Sequence, residues 1–231
     1  MRVKNEAAHI GEVLERALQL CQRALVFDDH SGDETVAICR SFADRVTVVP
    51  SPFTGLDEAR DKNHLLREVV AAAPAWVLWI DGDVVLERSG PEALRRAIAA
   101  GSSAAAYSLR IAYLWNDPGL VRVDGLHGAF ARPSLFRLRG QPVAPLHFAP
   151  SVFRGNFHCG DVPVGLVGQL RPLATRLKHY GYVSPDVRQA RYRWYTSHDP
   201  NNDVEDRNRH LAEILGARHA PGPPQLVPWT E

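Results

Sequence analysis

Lysine is scarce in this chain: Lys4, Lys62 and Lys178 stand among 27 basic residues, and arginine supplies the rest. Arginine suits bidentate contacts with phosphate and carboxylate, although genome composition produces the same bias. Cysteine is scarce too. Cys21, Cys39 and Cys159 are odd in number and lack metal-ligand spacing, which argues against a disulfide framework and fits a reducing compartment. No apolar run is long enough to span a bilayer, no stretch has the form of a signal peptide, and there is no Asn-x-Ser/Thr sequon. Net charge is only +1, so no overall field marks nucleic acid as a partner. These absences predict a cytoplasmic protein and leave open a peripheral contact with the inner face of the membrane. What remains is an ordinary globular composition, 45% hydrophobic and 23% charged over 231 residues, enough for one sizeable core.

The first half alternates strand and helix signals. Met1 to Lys4 reads as a short strand, and Ile10, Val13, Leu14, Ala17, Leu18 and Cys21 recur at helical spacing. Ala24 to Phe27 and Val46 to Val49 read as strands, with a helix between them that Asp33 can cap. Asp57 to about Ala73 is a predicted helix, as is Gly90 to Ala100, before a strand from Ala104 to about Ile111. This alternation predicts an α/β fold with a mainly parallel, Rossmann-like sheet flanked by helices. From Tyr113 to Val183 the pattern shortens into runs broken by Gly and Pro, which predicts a smaller mixed or antiparallel region. Helices are expected from Ser184 to Thr196 and from Asp203 to Leu215, and then an extended or poorly ordered Pro-rich tail. The expected divisions are 1–112, 113–183, 184–219 and 220–231.

The most informative run is Trp76-Val77-Leu78-Trp79-Ile80-Asp81-Gly82-Asp83, a buried-strand pattern that stops at two acids separated by a glycine. Acids at the carboxyl end of such a strand sit at the rim where open α/β sheets bind ligands. At this spacing both can turn toward one hard cation, which takes oxygen ligands. Asn5-Glu6, Asp28-Asp29, Arg60 and Lys62 fall near the same predicted rim. Taken singly, Asp28-Asp29 also reads as a turn and cap, and Arg60 reads first as a solvated helix residue.

Four segments occur in order: Val3-Lys4-Asn5-Glu6, Val26-Phe27-Asp28-Asp29-His30-Ser31-Gly32-Asp33, Asp57-Glu58-Ala59-Arg60-Asp61-Lys62-Asn63 and Trp79-Ile80-Asp81-Gly82-Asp83. Together they resemble the ordered motifs of family-2 glycosyltransferases, whose A-type fold binds a nucleotide-diphosphate sugar. The resemblance implies that Asp28 or Asp29 accepts a hydrogen bond from the base, with Asn5 and Glu6 bordering the nucleotide. Arg60 would lie against base or diphosphate, with Lys62 near it. Asp83 would bind Mn²⁺ or Mg²⁺ directly, and Asp81 would contact ribose or a metal-bound water. His179 would complete the metal shell, and Lys178 could reach the diphosphate. The implied reaction is transfer from a UDP-sugar, with inversion, to a hydroxyl of a glycan, lipid-linked sugar, small molecule or peptide.

Inversion needs a base. Related transferases carry a His-Glu pair where this chain has His158-Cys159, so the role passes to Asp161, with Asp124 as the alternative. The departure keeps a second reading alive, a catalytically weak or inactive nucleotide-sugar binding module. A sugar nucleotidyltransferase is disfavoured, because no glycine-rich phosphate loop follows the first strand: Asn5 to His9 holds no glycine. Only Met1-Arg2-Val3 precede the first motif, so a shortened first strand is expected. The basic-aromatic stretch from Arg188 to Tyr195 reads as an ordinary amphipathic helix with solvated arginines, or as an acceptor surface.

Overall fold

The structure, a computed structural model, describes residues 1–55, 57–101, 103–150, 159–198 and 223–231. It begins with β1 (Arg2–Val3), α1 (Ile10–Ala17), β2 (Ala24–Asp28), α2 (Thr35–Ser41) and β3 (Val46–Pro50). Next come α3 (Glu58–Ala71), β4 (Trp76–Leu78), β5 (Val84–Leu86), α4 (Gly90–Ala99), β6 (Ala104–Trp115), β7 (Asp117–Arg122) and α5 (Gly125–Ala129). The order closes with β8 (Ala131–Arg137), β9 (Gln169–His179), α6 (Pro185–His198) and β10 (Leu226–Pro228).

The parallel part is a three-stranded sheet in the order β1-β2-β3, with Val3 opposite Asp28 and Asp28 opposite Pro50. Its strands therefore end at one rim, and Asn5-Glu6 and Asp28-Asp29 meet there. The second sheet is mixed. Strands β10-β7-β6-β8-β4 pair antiparallel in that order, while β9 runs parallel to β6 and antiparallel to β5. The α/β class holds, with the parallel share smaller than the strand-helix alternation suggests, because β4 takes β8 as its assigned partner.

Burial explains the helices. Ile10, Val13, Leu14 and Ala17 put one face of α1 into the core, and Leu65, Leu66 and Val69 do the same for α3. Phe27, Val77, Trp79, Phe136 and Phe148 pack against the α3 face. Each such side chain contributes about 1.5–3 kcal/mol. Asp57 caps α3 by accepting the Arg60 N–H, and Asp33 accepts the Thr35 N–H at the start of α2.

Trp79 and Ile80 lie beyond β4 yet stay buried, and the Trp79 N–H donates to Ser134 O at 2.7 Å. That anchor delivers Asp81 to the rim. The Pro-rich tail is extended, as expected, but not loose: β10 pairs with β7, and the Trp229 N–H donates to Gly119 O at 2.7 Å. The expected helix from Asp203 to Leu215 and the His158 position lie outside the described residues.

Candidate active site

Two clusters occupy the rim. At the first, Arg2 on β1 donates to Asp29 at 2.7 Å and to Asp61 at 2.9 Å, tying the ends of β1 and β2 to α3. Asp28 accepts the Ser31 N–H through both oxygens at 3.3 Å, and Asn5, itself at φ 56°, accepts the Gly32 N–H at 2.8 Å. Arg60 donates to Asp61 and to Thr54 O and Gly55 O, with its guanidinium 4.4 Å from the Phe53 ring centroid. Asp28, Asp29, Asn5 and Arg60 thus line one end of the rim, held by a charge network that includes Arg2 and Asp61, which the motifs did not single out.

The second cluster forms around Asp81 and Asp83. Gly82 lies so close to β1 that a Cβ there would come within 2.8 Å of Val3 Cγ1 and 2.9 Å of Glu6 Cγ, which explains a glycine between the acids. Asp83 is buried, at 4% exposure, and its Oδ2 accepts from Arg191 Nη2 at 2.6 Å while His179 Nε2 stands 3.9 Å away. Asp81 accepts from Arg132 Nη1 at 2.7 Å, and Asp161 lies 3.9 Å from the same nitrogen. Burial works against both charged carboxylates. Even so, Arg132 and Lys62 hold Asp81 well below the usual carboxylate range, and the Arg191 guanidinium bonded to Asp83 helps to hold that carboxyl below it. Glu6 goes the other way: burial, then the neighbouring Asp83 charge, push it up to about 8, so it is largely protonated at neutral pH.

His179 ends β9 and faces Asp83. Burial lowers its imidazole to about 4 despite the attraction of Asp83, which keeps it neutral, the form that binds metals. Strand alternation sends Lys178 to the other face, where it meets Glu12 at 3.2 Å and Glu231 at 3.4 Å. Lys62 is also turned away from solvent. At 3% exposure it bonds Glu58 at 2.7 Å and Gly160 O at 3.2 Å. With Asn63, whose side chain exchanges two 2.8 Å bonds with the Phe148 backbone, it fixes α3 against the segments on either side of 151–158. Asp161 is placed by that anchorage. Asp124 is engaged by Arg122 and by the Gln225 N–H, which hold its carboxyl below the usual range. Cys159 is buried, and its thiol is pushed up to about 12 by burial, so it cannot stand in as a base.

Two of the three arginines of α6 are engaged by the protein, while Arg193 is exposed. Arg188 is 7% exposed, lies 4.2 Å from the Trp115 ring centroid, and donates to Tyr182 O at 2.6 Å and to Asn116 Oδ1 at 2.8 Å. Arg191, three positions on, shares its helix face and reaches Asp83. That spacing was the available signal. Arg132, in Ala131-Arg132-Pro133, carried none.

Among the described residues no group of three or more His, Cys, Asp or Glu is gathered as a ready cage for an ion. The donor chemistry nevertheless fits a divalent cation. His179 Nδ1 is buried without a hydrogen-bond partner. Gly181 lets the backbone pass close to both, since a Cβ there would stand 2.5 Å from Asp83 Oδ2 and 2.6 Å from His179 Cε1.

Comparison with known proteins bears on the fold and the family. No curated protein sequence matches the chain. The structure is similar to that of S. aureus TarS, with a TM-score of 0.52 at 15% identity over 93% of this chain and 42% of that one. It is also similar to S. aureus TarS 1-349 in complex with UDP-GlcNAc, with a TM-score of 0.51 at 17% identity over 93% and 70% of the respective chains. At these identities the likeness establishes the A-type glycosyltransferase fold. The sequence profile described as Glycosyl transferase family 2 matches residues 1–157, more than half of the chain, and the protein therefore belongs to that family of glycosyltransferases.

Proposed function

We propose that the protein transfers a sugar, with inversion, from a nucleotide-diphosphate donor to an acceptor hydroxyl, and that the donor is a UDP-sugar. The observation that carries this reading is the Asp81–Asp83 corner, two rim carboxylates facing Arg132, Arg191 and neutral His179, on the side of the sheets where Asp28, Asp29 and Arg60 form a second polar cluster. The complex of TarS with UDP-GlcNAc supports the choice of nucleotide.

Asp83 and His179, with Asp81 beside them, are the residues that would hold Mn²⁺ or Mg²⁺. Bound there, the ion would neutralise charge on the departing diphosphate. The protein's own groups do the rest. Asp28 or Asp29 accepts a hydrogen bond from the base, and Asn5 shapes the adjoining turn. Asp161, steered toward Asp81 by their shared contact with Arg132, takes the proton of the acceptor hydroxyl. The acceptor oxygen bonds to the anomeric carbon, and the bond to the phosphate oxygen breaks on the opposite face. Its electron pair leaves with the nucleoside diphosphate.

A cytoplasmic setting belongs to the proposal and is supported by the three free cysteines. No helix among the described residues is long and apolar enough to cross a membrane. A binding module without turnover is the second reading, favoured by the inert Cys159 in place of the glutamate that the family resemblance implies.

Thermal-shift measurements with nucleoside diphosphates and their sugars, with and without Mn²⁺, test the proposal. A rise in melting temperature with UDP or UDP-sugars and Mn²⁺, together with donor hydrolysis that disappears in Asp83→Ala, is expected. No shift with any nucleotide would overturn the donor reading, and binding without hydrolysis would select the binding module.

A further inference from the structure

Arg191 bonds the same Asp83 oxygen, Oδ2, that His179 approaches, at 2.6 Å against 3.9 Å. The corner is tight. A single methyl carbon on Gly181 would stand 2.5 Å from Asp83 Oδ2 and 2.7 Å from Arg191 Cζ, so a guanidinium and a metal ion cannot share it. Two cations drawn to one buried carboxylate also repel each other strongly in a partly dehydrated site. Resting on the donor reading above, we propose that Arg191 is the resident counter-ion of Asp83, and that it exchanges this carboxylate for the donor diphosphate when a divalent cation enters.

The helix is built for a side-chain movement of this kind. Arg188 fixes the first turn of α6 through Tyr182 O, Asn116 Oδ1 and the Trp115 ring. Arg191 follows it on the same face, and its side chain is 30% exposed, so it has an open path away from Asp83. The guanidinium can swing while the helix stays in place. Its planar fork suits a diphosphate as well as it suits a carboxylate, so the arginine has a matching partner on either side of the exchange. In the empty site the arginine also keeps the buried Asp83 from standing uncompensated. The cation therefore arrives at a neutralised carboxylate and must displace a bonded group to bind. It should bind weakly alone and better together with a nucleotide diphosphate, which gives the displaced arginine a new partner.

Manganese binding to the full chain, followed by the loss of the free Mn²⁺ electron paramagnetic signal, tests this without reliance on activity. Arg191→Gln is expected to bind Mn²⁺ alone about five- to tenfold more tightly than the parent. With Mn²⁺ saturating, the same variant should bind UDP about tenfold more weakly. Arg191→Lys keeps a charge on the helix, serves as the second variant should the glutamine form fold poorly, and is expected to lie between the two on both measurements. Equal or weaker Mn²⁺ affinity in both variants, with UDP binding intact in the parent, would overturn the exchange and leave the donor site standing. No binding of UDP or Mn²⁺ by any of the proteins would overturn both.

Discussion

Gly181 faces Asp83 so closely that a Cβ on the glycine would lie 2.5 Å from Asp83 Oδ2. Because β5 and β9 pair with Val84 opposite His179, and the Tyr180 N–H donates to Asp83 O, this approach is fixed by backbone and not by side-chain choice. Gly181→Ala should therefore abolish metal-dependent donor binding. Its stability cost should be about 1–3 kcal/mol, since Arg191 can yield toward solvent but the buried Asp83 and His179 must also shift. Calorimetry of UDP with Mn²⁺, beside a thermal melt, separates the two effects.

Asp161 is the proposed base, and its removal should act on turnover alone. Asp161→Asn is expected to lower kcat by about 10²- to 10⁴-fold while UDP affinity stays within about twofold. Transfer rates measured alongside nucleotide binding check this, and an equal loss of both would reassign the residue to donor binding.

Lys62 is placed for architecture. Lys62→Met removes the cationic partner of Glu58, which keeps the Cys159 N–H, and removes a donor to Gly160 O. A loss of about 2–4 kcal/mol is expected, read as the shift of a denaturant midpoint at unchanged slope. Restoring volume does not restore the charge, so Lys62→Arg should recover part of it.

The Asp124 pair sets a pH dependence. Hydrogen bonds from Arg122 first, and from the Gln225 N–H, lower its carboxyl in the folded protein, so the folded value lies below the unfolded one. Its contribution is complete above the ordinary carboxylate range and is lost as pH falls through the folded value. Asp124→Asn should cost about 1 kcal/mol at neutral pH. The difference from the parent should shrink as melts are taken into acid.

The site was legible in the sequence where chemistry is local. Asp28-Asp29 and Asp81-Gly82-Asp83 sit at strand ends that apolar runs announce, and His179 ends such a strand too. Arg132 and Arg191 were not, because they reach the same acids from 51 and 108 residues away. No periodicity encodes such a meeting. Lys178 and Lys62 carry the right charge for a diphosphate, yet pleat alternation and α3 packing direct them to Glu12, Glu231 and Glu58. In the fold, helix faces were readable from apolar spacing. The parallel pairing of β9 with β6 and the return of β10 to β7 depend on long-range closure, which leaves no local mark.

Strand β6 runs for 12 residues and hydrogen-bonds to β7, β8 and β9. It enters among the apolar residues behind α4 and leaves beside the ring cluster of Tyr113, His127 and Tyr182. Neither half of the chain can come apart without stripping a face of that strand. The strands that follow β6 are thus tied to it, and heat should melt the protein in a single transition whose calorimetric and van't Hoff enthalpies agree.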